Sequence, residues 1–116
     1  IFNQTPYIQS FLYWANVSVH CNKDYQVIFP PKTQFGVQHA KNKFVDWPVG
    51  KSHYGGLDRT GVDLNWWKNH PNSASIFAWN FDDDFLGGYD YGKDARTVHV
   101  ANHHVVGEEK ILLVGK

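Results

Sequence analysis

Cysteine is nearly absent: Cys21 is the one thiol in 116 residues, so the chain can hold neither an internal disulfide nor a thiolate metal cluster. As a lone thiol it is expected as a buried, inert group in a strand. Methionine is missing altogether and the sequence opens on Ile1 and Phe2, which together suggest a processed or cut piece of something longer. Net charge is missing too. Lysine plus arginine and aspartate plus glutamate number 11 each, and the basic residues are scattered singly. Nucleic acid, which needs a concentrated positive field, is therefore not an expected partner. No apolar run approaches the roughly 20 residues that cross a bilayer as a helix, so no membrane partner is expected either.

What the chain has in excess is aromatic. Phe, Trp and Tyr make up 16% of it, with five tryptophans, and such an excess is explained by a β-rich core, by a ligand surface, or by both. The density peaks over residues 66–91, WWKNHPNSASIFAWNFDDDFLGGYDY. Aromatic faces beside carboxylates, amides and a histidine suit a polar ligand with apolar faces, of which a sugar ring is the commonest. An aromatic core with a solvated acidic turn is the competing reading.

Apolar and polar residues alternate over residues 9–20, which predicts a strand. Residues 25–29 are β-branched and aromatic, stop at Pro30-Pro31, and are expected as its antiparallel partner. From 32 to 59 the periodicity fades. This predicts a long irregular connection in the middle of the chain, carrying Trp47 and His53, and connections of that length are often functional. Residues 62–70 suit one or two helical turns ended by Pro71, which would place Asp63, Trp66, Trp67 and His70 on one face. Residues 73–81 read as an interior strand. Asp82-Asp83-Asp84 then opens an acidic turn in which Gly87-Gly88 reverses the chain, and 96–101, 103–106 and 110–114 read as further strands. The whole predicts one all-β domain over residues 1–116, an antiparallel β-sandwich or half of a larger one.

Between Asp82 and Asp94 stand five aspartates and one lysine. The triplet Asp82, Asp83 and Asp84 offers the oxygen donors a calcium ion takes, but not the alternating register of an EF-hand, so no cofactor is expected and a non-EF calcium site is the alternative. Paired carboxylates acting on a glycosidic bond are a second option, with Asp58, Asp63 and Asp90 as eligible partners. His99, His103 and His104 converge on a metal only if Asn102 lies in a bulge or turn, and hydrogen bonding within a polar sheet face is the simpler expectation. His53 and His70, in aromatic-rich irregular segments, suit ligand contact or proton transfer.

Five ordered stretches, Gln9-Ser-Phe11-Leu-Tyr-Trp14-Ala-Asn16, Phe29-Pro30, Asp46-Trp47-Pro48, Asp63-Leu-Asn-Trp66-Trp67-Lys-Asn69-His70 and Phe85-Leu-Gly87-Gly88-Tyr89, give the chain a resemblance to a family. It resembles a bacterial domain of unknown function that is often accompanied by tetratricopeptide repeats and looks related to the galactose mutarotase-like β-supersandwich. The resemblance implies a sugar-linked fold of which this segment is part, with other segments or domains of the same protein as partners. It brings no assigned catalytic residues. Residues and resemblance together lead to one expectation, a carbohydrate-active domain with a cleft beside the sheet. Trp47, Trp66 and Trp67 would stack on sugar rings, while His53, Asp63, His70 and Asp90 bond hydroxyls or move protons at the anomeric centre. A noncatalytic carbohydrate-binding or structural module is the alternative.

Overall fold

The computed structural model describes residues 2–9, 17–38, 43–72, 74–78, 83–100 and 110–114. Residues 25–28 alternate strictly, Tyr25 and Val27 inward and Gln26 and Ile28 outward, as a half-buried extended segment should. This strand, β1 (Tyr25–Ile28), lies antiparallel to β7 (Phe85–Asp90), which in turn pairs with β8 (Ala95–Val100) in a three-stranded sheet of order β1-β7-β8. A second sheet has the order β3-β2-β6-β9, from β3 (Lys43–Asp46), β2 (Phe35–Gln38), β6 (Ala74–Ala78) and β9 (Lys110–Val114), again with every pair antiparallel. A small hairpin, β4 (His53–Tyr54) and β5 (Leu57–Asp58), turns on Gly55 and Gly56. Both glycines have positive φ, 61° and 79°, the backbone that a tight hairpin of this twist requires.

The core lies where the sheets meet. Tyr25 and Val27 come from the first sheet, Val45, Ile76 and Ala78 from the second, and Phe29, Trp47, Tyr54 and Leu64 from the hairpin and connections. The architecture is all-β, antiparallel and sandwich-like, with, among the described residues, one short 3-10 turn at Trp67–Asn69. Strand β6, expected as interior, sits between β2 and β9 with Ile76, Phe77 and Ala78 all buried. The expected strands at 25–29, 96–101 and 110–114 form as β1, β8 and β9.

Three expectations are corrected. The stretch from 32 to 59 is no irregular connection but holds β2, β3, β4 and β5. These strands have two to four residues each, too few for a period to show. Gly87-Gly88 does not reverse the chain; both lie inside β7, and the reversal comes at residues 91–94. Strand β1 pairs with β7, and of the segment expected as its partner, residues 17–20 are not in a strand while 10–16 lie outside the described residues. Residues 101–109, with the expected strand at 103–106, also lie outside them.

Gly88 is required by what lies above it. The Tyr25 phenol occupies the space that a side chain at Gly88 would need, so the glycine lets a large ring pass over the central strand within the core. Gly88→Ala is expected to push Tyr25 out of place and cost about 1–3 kcal/mol, as overpacking does. Chemical denaturation that showed no loss of stability would refute this packing.

Candidate functional site

The turn after β7 is built on Asp90, only 3% exposed. Its Oδ1 accepts from the Gly92 and Lys93 amides at 3.0 and 3.2 Å, its Oδ2 accepts from Asn22 Nδ2 at 2.8 Å, and the Lys93 ammonium stands 3.7 Å away. A short polar side chain folding back on the amides that follow it is a common way to fix such a turn. Here the same carboxylate also ties the turn to the segment before β1. Asp90 therefore holds the backbone and faces away from the outer surface, where its two neighbours, Tyr89 and Tyr91, are found.

That outer surface carries a row of side chains running across the strands. Antiparallel pairing sets Gln26 opposite Tyr89 and Tyr89 opposite Arg96, and a further antiparallel bridge sets Trp66 opposite Gln26. Residues directly opposite share a face, so Trp66, Gln26, Tyr89 and Arg96 line up from one edge of the sheet to the other. Tyr91 leans over this row. Its ring lies 5.5 Å from that of Trp66, tilted by 33°, and 4.6 Å from that of Tyr89, edge to face. Its hydroxyl donates to Gln26 Oε1 at 3.0 Å. The Tyr89 hydroxyl donates to Asp94, a bond that pushes the phenol pKa up, while the nearby Arg96 guanidinium opposes the rise. At the other end the Lys68 ammonium sits 4.7 Å from the centre of the Trp66 ring, a cation over an aromatic face. Three rings, an amide and two cations thus form one continuous surface, on which Tyr91 is 57% exposed.

Trp66 reaches this surface while its neighbours turn inward. The 3-10 turn covers Trp67–Asn69 alone, and Trp66 itself is extended, with φ −88° and ψ 126°. The helical spacing that would have put Asp63, Trp66, Trp67 and His70 on one face therefore does not apply. Trp67 packs against the core. Asp63 is half-buried and holds the loop: its Oδ1 accepts from the Asn65 amide at 2.9 Å, and its carbonyl accepts from Asn69 Nδ2 at 2.7 Å. His70 is 1% exposed, with Nε2 donating to the Leu64 carbonyl at 2.7 Å. Burial pushes its pKa below the ordinary value; the bond to Leu64 opposes this, and the Arg59 guanidinium reinforces it. Arg59, also buried, donates from Nη1 to the Asn69 carbonyl and lies 6.0 Å from the centre of the Tyr54 ring. Burial raises the Tyr54 phenol to about 12 against the opposing pull of that guanidinium.

The remaining candidates are dispersed. Trp47, 6% exposed, packs on Phe29 at 4.6 Å inside the core. His53 is exposed on β4 opposite Asp58, and its carbonyl accepts from Lys43 Nζ at 3.5 Å. Among the described residues, no hydrogen bond joins His53, Asp63, His70 and Asp90 to one another. Asp83 and Asp84 are half-buried ahead of β7, and Asp82 lies outside the described residues. His99 is half-buried on β8, while His103 and His104 also fall outside them. No cluster of three or more metal-ligating side chains occurs among the described residues. Cys21 is half-buried but not in a strand; burial and then the Asp90 charge push its thiol pKa up against the opposing Lys93 ammonium, which disfavours the reactive thiolate. A cavity of about 300 Å³ on the second sheet is lined by Phe35, Phe44 and Asp46, where the carboxylate already pairs with Lys51 at 3.3 Å. Sequence reasoning missed Gln26 and Arg96 and took in Tyr89 and Tyr91 only as members of the 66–91 stretch; the convergence of the four is a matter of strand register.

A family model described as a domain of unknown function, DUF5107, matches residues 1–115. The chain belongs to the DUF5107 family. No solved structure matches it.

Two features of this DUF5107 domain give direct tests. Because the folded state lowers the His70 pKa, the unfolded chain binds the proton more tightly. Stability is then independent of this group above its ordinary value of 6.5 and falls as the pH drops below it. Urea unfolding from pH 8 to pH 5 should show that decline, and His70→Gln should flatten it. Asp90→Ala removes a charged acceptor from two amides and from Asn22, and should cost about 2–3 kcal/mol, lowering Tm by about 10 °C.

Proposed function

We propose that this domain binds a saccharide on the outer face of its three-stranded sheet. The observation that carries the reading is the aromatic platform of Trp66, Tyr91 and Tyr89, edged by the Gln26 amide, with Tyr91 exposed and Trp66 and Tyr89 half-buried. A pyranose has apolar C–H faces and a hydroxyl rim. Rings at differing tilts beside an amide and cationic donors offer contact to both, and rigid aromatics lose little conformational entropy when they provide it. The resemblance to a family linked to the mutarotase-like supersandwich adds weight to a sugar as the ligand, as an argument from analogy.

Binding is favoured over reaction at the anomeric centre by the state of the acid–base candidates. Of the four, His53 is exposed on β4 and hydrogen-bonded to none of the others, while Asp90 is engaged by its own turn, His70 is sealed beneath the Leu64 carbonyl, and Asp63 caps its loop. A general acid must meet the atom it protonates within hydrogen-bond reach, and the last three groups serve the backbone instead.

Calorimetry with an oligosaccharide that the domain retains tests the proposal. Tyr91→Ala and Trp66→Ala should each weaken affinity by about tenfold or more, as loss of a central aromatic contact does. Tyr91→Ala should leave Tm nearly unchanged, since that ring is more than half exposed. Affinity for the retained glycan that survived both substitutions would remove the platform from the site.

A further inference from the structure

Two cations bound the platform, and neither has a carboxylate of its own among the described residues. Lys68 is exposed, with its ammonium over the Trp66 ring. Arg96 is exposed at the opposite end of the same cross-strand row, next to Tyr89. Other lysines near acids are already paired, Lys93 with Asp90 and Lys51 with Asp46. Beside the row, Asp94 accepts the Tyr89 hydroxyl. From Trp66 to Arg96 the row covers three strand spacings, about 14 Å, which is longer than a single sugar ring.

Resting on the saccharide reading above, we infer that the ligand is an acidic oligosaccharide, whose uronate carboxylates or sulfate esters meet Lys68 at one end and Arg96 at the other. Its ring faces lie on Tyr91 and Trp66 between them. The guanidinium fork matches a planar carboxylate or a sulfate through two parallel bonds, and the lysine adds a point charge on a flexible stem. Both cations are solvated in the free domain, so a neutral glycan gains only hydrogen bonds from them, whereas an acidic one also gains attraction that salt screens.

The test is a glycan array probed with the full chain at low ionic strength, carrying neutral, uronate-bearing and sulfated oligosaccharides matched in length. Acidic members should dominate, the uronate and sulfate arms should show which oxyanion is preferred, and added salt should weaken binding. For the best acidic member, K68Q combined with R96Q should lower affinity about tenfold, the effect expected of two exposed ion pairs. Tyr91→Ala should weaken acidic and neutral members alike. Equal, salt-insensitive binding of neutral and acidic members, or a double variant with unchanged affinity for the acidic one, overturns the acidic assignment while leaving the platform standing. An array on which nothing is retained overturns both.

Discussion

The buried carboxylate of Asp90 is the constraint on which the outer surface depends. It draws two amides of its own turn, the Asn22 amide and the Lys93 ammonium around one side chain. Charge-assisted bonds are about twice as strong as neutral ones, and a carboxylate this deeply buried is tolerated because its acceptor positions are used. Fixing residue 90 inward fixes residue 89 outward on the pleat, and the turn that follows lays Tyr91 back across β1 to reach Gln26. An acidic residue beside aromatics invites a catalytic reading. The bonds it makes give it a mechanical one.

A similar division runs through residues 63–70. One short segment sends Leu64 and His70 into the core and Trp66 to the surface, and the Asp63 and Asn69 side chains hold the backbone that lets neighbours point opposite ways. The inward half is costly chemistry: an imidazole and a guanidinium share a buried space, with carbonyls as their hydrogen-bond acceptors. That arrangement anchors the loop against the sheet. The outward half is a single indole, positioned by a bridge to β1 and by contact with Tyr91 and Lys68.

The class of the fold was legible in the sequence wherever a strand was long enough to show its period. Strands β1, β6 and β8 were readable from alternation and β-branched composition, and the all-β antiparallel character followed. Strands β2 to β5 were not, because two to four residues carry no measurable period and their pairing is decided by distant partners. Gly87-Gly88 looked like punctuation, yet the Tyr25 ring needs the space above Gly88 and extends the strand through it. Of the candidate site, Trp66 was legible from its aromatic neighbourhood. Trp47 and His70 were visible as unusual residues, but burial, which sequence does not show, assigns them to the interior. Gln26 and Arg96 stood alone in strands of ordinary composition, and only register brings them to Trp66 and Tyr89.

The row that crosses the sheet has one more consequence. Its members come from four stretches of chain, joined only through the pairing of β1, β7 and β8 and the bridge at Trp66. The surface is thus conformational and not linear: a peptide excised around Tyr89 and Tyr91 would keep the rings and lose their alignment. Recognition here is bound to the closing of long loops that bring those segments together, and so it reports on the folded state as a whole.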